Sequence, residues 1–311
     1  MGMHIGAIRA FIQANSQVVT EELTTSGINR EIVKPGTKHS MKPFINKYLE
    51  MTDPDTGIPF VSTATVFVSH AWKYKFYDVV FQVMEQHASR NPSAYFWFDL
   101  FTNDQNSVTE KDFDWFSRTF KNGIREIGQM LLVLSPWDDP LPLKRAWCLF
   151  EIHNALEESK VSLSIDLPDR ETVELKESVI VNADCVLQAL SDIQAENAKA
   201  TSVSDRELIF RTIKNSAGGF FSVNQGVKNE LRTWYVNKLK NLVKEEPENP
   251  QLLASSGRVM YGFAFYDDAM SHFNHATNIY LATRERRVFT LQCSITTWRA
   301  SIMTKDCWRE Q

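Results

Sequence analysis

Glu151 lies in the stretch Lys144 to Ile152, KRAWCLFEI, a lone carboxylate among aromatic and sulfur side chains just after a strand-like run ends. On a helix through this stretch, Cys148, Ile152, Ala155 and Leu156 recur at core spacing, whereas Trp147 and Glu151, four apart, share another face. Glu151 is thus either a solvated helical carboxylate or a group turned into a crevice beside an indole and placed to do chemistry. Other polar and aromatic groups stand where they could join it. Ser69 and His70 either hydrogen-bond a ligand or satisfy a turn. Asp99 is either a ligand-binding carboxylate or a cap and loop anchor. Trp72 and Trp137 are stacking platforms or packing residues, and Ser135 precedes Pro136-Trp137. A Ser/His/Asp hydrolase can be assembled on paper from Ser69 or Ser135, His70 or His153, and Asp99, yet no G-x-S-x-G elbow is present.

What must position these groups is a set of buried strands. TATVFVSHAW (Thr63 to Trp72), AYFWFDL (Ala94 to Leu100) and QMLLVLSPW (Gln129 to Trp137) are short apolar runs with polar ends, and KVSLSIDL (Lys160 to Leu167) reads as a fourth. Between them Phe76, Val79, Val80, Val83 and Met84, then Phe113, Phe116, Phe120, Ile124 and Ile127, follow the helical period. Strand alternating with helix predicts an α/β fold, a mainly parallel sheet with helices on both faces. In such a sheet ligands bind beyond the carboxyl ends of the strands. Ser69, His70, Trp72, Asp99, Ser135 and Trp137 all fall at those ends, and the helix with Trp147 and Glu151 follows.

The first 59 residues are punctuated by Pro35-Gly36, Pro43, Asp53-Pro54 and Gly57 and read as an extension of short helices and loops. The α/β domain is expected over 60–182 and a helical extension over 183–246, with a Ser204-x-x-Glu207 capping box opening one of its helices. Residues 247–311 form the last segment, where two short antiparallel helices are expected to join at Phe265-Tyr266-Asp267. Ala254, Tyr261-Gly262, Phe265, Ala269, Phe273 and Ala276 there resemble one degenerate tetratricopeptide repeat, of the kinesin-light-chain kind. One repeat does not bury its own apolar face, which suggests a protein or peptide partner. The final stretch from Val288 does not continue the repeat, as in a shortened array or a cap.

A formal net charge of −4 and a pI near 6.0, with no long Lys/Arg stripe, argue against nucleic acid as a partner. Cys148, Cys185, Cys293 and Cys307 are widely spaced, which suggests neither a zinc cage nor a disulfide framework. His272 and His275 lack further ligands for a metal site. There is no apolar run of membrane-spanning length and no signal-peptide pattern, and Gly6 stands where a myristoylation signal wants Ser or Thr. A cytoplasmic protein without membrane association is expected. The absence of G-x-G-x-x-G after a strand and of G-x-x-x-x-G-K-[ST] disfavours dinucleotide redox chemistry and P-loop NTP hydrolysis.

Two blocks carry a family resemblance. VFVSHAW is similar to the first strand and turn of TIR (Toll/interleukin-1 receptor) domains, and LLVLSPW followed by RAWCLFEI resembles their S-x-W-C-L-x-E-L pattern, with FWFD matching the second strand. The chain thus resembles, over about residues 60 to 165, the divergent TIR domains of protists and algae that are often joined to tetratricopeptide repeats. The resemblance implies a flavodoxin-like sheet, with residues 101–112 in the place of the family's mobile loop but without a recognisable motif. It also implies cleavage of the nicotinamide–ribose bond of NAD, with NAD as substrate rather than cofactor. Products would be nicotinamide and linear or cyclic ADP-ribose. Glu151 matches the catalytic glutamate, and Ser69, His70, Trp72, Asp99, Ser135, Trp137 and Trp147 are the expected substrate-binding residues. Activation by self-association through this domain, in signalling or defence, is part of the same expectation. The alternative is a non-catalytic TIR and tetratricopeptide scaffold for protein–protein contacts.

Overall fold

The computed structural model describes residues 1–107 and 113–282. The tail from Val288, with Cys293 and Cys307, and the end of the 101–112 segment lie outside these residues. By internal packing the chain divides into two compact units, one of Met1–Thr172 with Ile193–Asn229 and one of Val173–Asp192 with Glu230–Gln311.

The first unit is α/β. Its strands are β1 (Gly2–His4), β2 (Val61–Ser62), β3 (Val66–Ser69), β4 (Tyr95–Trp97), β5 (Gln129–Val133) and β6 (Ser162–Asp166). They form one six-stranded sheet in the order β2-β1-β4-β3-β5-β6. Pairing is parallel for β4-β3-β5-β6 and antiparallel where β1 meets β2 and β4. The parallel strands fall within the four apolar runs; β3 and β5, buried almost throughout, are the ones covered on both faces and therefore apolar on both.

Alternation along the strands divides the core. Val66, Val68, Phe96, Phe98, Leu131 and Val133 pack with Ile5, Ile8, Phe11, Phe76, Val80, Val83 and Met84. On the opposite face Phe67 stacks on Trp97 with ring centres 4.6 Å apart and meets the edge of Phe120, on the helix Phe113–Ile127, at 6.2 Å. Each fully buried ring or branched chain of this kind contributes about 1.5–3 kcal/mol.

Residues 1–59, expected as an extension, are built into this unit. β1 pairs Met3 with Val61 and with Phe96, and Phe11 sits among the rings of Phe44, Phe76 and Phe101. A three-residue strand leaves no period to read, and its partners are distant in sequence. Residues 193–229 likewise join the first unit. The Ala146 N–H donates to the Lys199 carbonyl at 2.9 Å and the Lys199 N–H to the Lys144 carbonyl at 2.9 Å. The helix Val203–Asn215 is capped by Ser202, whose side chain accepts from the Asp205 N–H at 3.2 Å, so the cap lies two residues before Ser204. Ser204 falls inside the helix, its hydroxyl 2.7 Å from that of Ser202.

The second unit is helical. Pro250–Gly262, capped by Asn249, and Tyr266–Ala282 run as a hairpin joined at Phe263 to Phe265, slightly before the expected junction. Gly257 permits the close approach: a Cβ there would lie 3.0 Å from the Phe273 ring and 3.2 Å from the Ala269 carbonyl. Arg258 forks onto Asp184 at 2.9 and 2.7 Å, holding the hairpin against the helix Asp184–Ser191. No described helix is long and apolar enough to cross a membrane.

Candidate functional site

The helix Ala146–Glu157 starts after a turn containing Pro140 and Pro142, and it buries Ala146, Cys148, Leu149, Phe150, Ile152, His153, Asn154 and Ala155. So wide a buried surface reflects packing on more than one side. What it leaves is the face of Trp147 and Glu151, which opens on a cleft of about 190 Å³. The opposite wall comes from Val68, His70, Trp72 and Asp99, and Phe116, Phe120, Arg145, Cys148 and Asp205 complete the lining.

Each polar group reaches the cleft for a local reason. Ser69 ends β3 on the Phe67 side, and its hydroxyl donates to Glu151 Oε2 at 2.5 Å. His70, one residue on, turns the other way, against the Phe98 ring at 4.8 Å, while its carbonyl accepts a long hydrogen bond of 3.4 Å from the Cys148 thiol. Asp99 opens a one-turn helix immediately after β4. The indole N–H of Trp72 donates to Asp99 Oδ2 at 2.8 Å, and the Gln105 amide donates to the Asp99 carbonyl at 2.7 Å. Trp147 is wedged among Phe113, Phe116, Phe120 and Phe150, at 5.5–5.9 Å between ring centres, and its N–H points to Asp205 at 3.3 Å.

Two polar atoms at this site have no hydrogen-bond partner among the described residues. Asp99 Oδ1 and His70 Nε2 are buried without a hydrogen bond. A buried polar atom left unpaired costs about 1–3 kcal/mol, and such atoms are uncommon in folded proteins.

Burial dominates the electrostatics. It raises the Glu151 carboxyl to about 8; the Ser69 hydrogen bond opposes this, the Asp99 charge adds to it, and Arg145 opposes it again. Asp99 is raised to about 6 by burial, against the Trp72 and Leu100 N–H donors and Arg145. His70 is driven down to about 3 by burial and then by Arg145, so its imidazole is neutral near pH 7. The Cys148 thiol is pushed up by burial and by Glu151, which makes it a packing group rather than a nucleophile. Two neighbouring carboxyls pushed to different values titrate as a pair, the pattern that separates a proton-holding from a charge-holding role.

Ser69, His70, Trp72, Asp99, Trp147 and Glu151 therefore come together. Ser135 and Trp137 do not line the cleft. Glu171, on the helix Asp169–Val181, accepts from the Ser135 hydroxyl at 2.9 Å and the Trp137 N–H at 2.8 Å, and Tyr74 binds the Ser135 backbone. A carboxylate from a later helix thus holds this strand end. Since Ser69 donates to Glu151 and Ser135 to Glu171, neither serine bonds a histidine among the described residues, and no Ser-His pair is assembled. Arg145 and Asp205 were not legible as site residues. Arg145 precedes the helix and so stands outside its period, and Asp205 arrives from far along the chain. The cleft phenylalanines are visible in the sequence only as core positions.

Among the described residues, no cluster of three or more His, Cys, Asp or Glu is placed to hold a metal ion. Comparisons with protein-family models, with curated proteins and with solved structures returned no match.

Proposed function

We propose that the cleft binds NAD and cleaves its nicotinamide–ribose bond, with Glu151 as the catalytic residue, in a unit of flavodoxin-like, TIR-like type. The observation that carries this reading is the Glu151 carboxyl itself, held by Ser69 in a shielded cleft beside Asp99 and aromatic rings. The parallel part of the sheet supports it as well. Counted among themselves, the parallel strands follow the order 2-1-3-4, and His70, Trp72 and Asp99 reach the cleft from the carboxyl ends of β3 and β4, the usual ligand position in such sheets.

The chemistry asks little of the protein. The bond between the ribose C1′ and the ring nitrogen breaks, and its electron pair cancels the positive charge on the nicotinamide ring. Water then attacks C1′ and releases a proton. Nicotinamide leaves neutral, so no general acid is needed, and the demand is for negative charge near the oxocarbenium-like ribose. Glu151 at about 8 is mostly protonated at pH 7, but a cationic nicotinamide ring drawn into the cleft lowers that value and generates the carboxylate where it is needed. Arg145 lines the same cleft, and its guanidinium, without a hydrogen bond or ion pair to any described residue, is a cation suited to the diphosphate.

A cleft of about 190 Å³ is smaller than the ~300–1,000 Å³ usual for such ligands, consistent with self-association completing the site. The reading places the enzyme in the cytoplasm, in signalling or defence. Concentrated full-length protein should release nicotinamide from NAD, and Glu151→Gln should reduce the rate by at least about a hundredfold with the fold intact. Equal silence of both proteins under conditions that assemble them would reject the proposal.

The hairpin Pro250–Gly262 with Tyr266–Ala282 favours a second reading, a non-catalytic scaffold that binds a protein or peptide partner. Partner capture by the full chain that Glu151→Gln leaves unchanged, without nicotinamide release, would support it.

A further inference from the structure

Asp99 and His70 present an unusual pair of groups. Each lines the cleft, and each keeps one buried polar atom, Asp99 Oδ1 and His70 Nε2, without a hydrogen bond to any described residue. His70 is only 5% exposed, and bulk water does not satisfy either atom. The other oxygen of Asp99 is fixed by the Trp72 indole at 2.8 Å, so Trp72 decides which edge of the carboxyl is left over. Trp72 in turn lies nearly parallel to the His70 ring, at 23° and 6.4 Å. The unsatisfied edge is therefore set by packing.

The structure assigns this edge to a ligand amide: we propose that Asp99 Oδ1 and His70 Nε2 receive the carboxamide of the nicotinamide ring and make the cleft selective for a pyridine carboxamide over a pyridine carboxylate. Asp99 is here a substrate-contacting residue and Trp72 a positioning residue, and the assignment rests on the NAD-cleaving reading of the cleft. A primary amide offers two N–H donors and one carbonyl acceptor. One N–H meets the Asp99 carboxylate oxygen, and the neutral imidazole nitrogen takes the other N–H or donates to the carbonyl, according to its tautomer. A carboxylate in the same place has no donor to give. It would set two like charges together and leave the Asp99 oxygen unpaired, a combination that sites built around a substrate N–H reject by about 10⁴–10⁵.

The position of Trp72 makes the test directional. In Asp99→Asn the indole N–H still selects the side-chain oxygen, so the amide nitrogen occupies the place of Oδ1 and presents a donor. That change should favour a carboxylate ligand at the expense of the carboxamide. Full-length wild type and Asp99→Asn are assayed for cleavage of NAD and of nicotinic acid adenine dinucleotide, and for binding of free nicotinamide and free nicotinate by saturation-transfer NMR. Wild type is expected to prefer NAD by at least about 10³ in kcat/KM, and Asp99→Asn to bring the ratio within about tenfold or invert it.

The arms separate the two ideas. No turnover, with binding of nicotinamide but not nicotinate that Asp99→Asn reverses, keeps the selectivity pair and removes the enzyme. Turnover whose selectivity Asp99→Asn leaves unchanged removes the pair and keeps the enzyme. Should the variant fail to fold, the wild-type ratio decides: equal use or equal binding of the two ligands overturns the proposal, as does binding of neither.

Discussion

Replacing Glu151 with glutamine should stabilise the protein, and by an amount that grows with pH. The glutamine keeps the shape of the side chain and an oxygen for the Ser69 hydroxyl, but it removes the ionisation. In the folded chain the Glu151 carboxyl is raised from 4.5 to about 8, chiefly by burial. Between those values the folded state keeps a proton that the unfolded state has lost, so wild-type stability falls as pH rises from about 4.5 and levels off above about 8. At about 1.36 kcal/mol per pH unit the interval sets a ceiling of roughly 4–5 kcal/mol. The side chain is partly open to the cleft and its carboxyl is coupled to Asp99, which reduces the expected effect to about 2–4 kcal/mol. For a domain of 150–250 residues this is a rise in Tm of about 5–15 °C. Paired thermal melts of wild type and Glu151→Gln across the range from about pH 4 to 9 measure it, since other titrating groups largely cancel in the difference. The two curves should meet near pH 4.5 and diverge above it. A difference that does not change with pH, or a variant less stable at pH 9, would refute the idea that the fold holds this carboxyl against its own ionisation.

If ionised Glu151 is the working form, kcat/KM for NAD should rise with pH through about 8, and Ser69→Ala, by removing a hydrogen bond that favours the charged form, should move that rise upward by about one pH unit. In the helical unit, Gly257→Val should lower stability by about 1–3 kcal/mol, read as a lower denaturation midpoint, because the added side chain has no space between the Phe273 ring and the Ala269 carbonyl.

The strands Val66–Ser69 and Gln129–Val133 were legible because burial on both faces forces continuous apolar runs, and the rule that ligands sit at strand ends then brought Ser69, His70, Trp72 and Asp99 forward. Helical spacing set Glu151 and Trp147 on a face apart from the core positions, and the resemblance of RAWCLFEI then singled out Glu151. Ser135 and Trp137 obeyed the same strand-end rule, yet they are engaged by Glu171, a later helical carboxylate that sequence separation conceals. The capping box at Ser204 had the right residues, but the helix begins at Val203, so Ser202 supplies the cap by accepting from the Asp205 N–H and Ser204 falls inside the first turn. Arg145 and Asp205 were hidden for a related reason: their roles depend on where the chain turns and returns, and no local period records that.

The strand Gly2–His4 has a consequence for how the molecule is made. It leaves the ribosome before both strands it pairs with, and Met3 must wait for Val61 and then Phe96. At about 5–20 residues per second, that interval is roughly 5–20 s. Throughout it Met3, Ile5, Ile8 and Phe11, all fully or almost fully buried in the finished fold, have no sheet to cover them. These four side chains therefore stay uncovered for seconds during synthesis, although in the folded protein they are among the best buried.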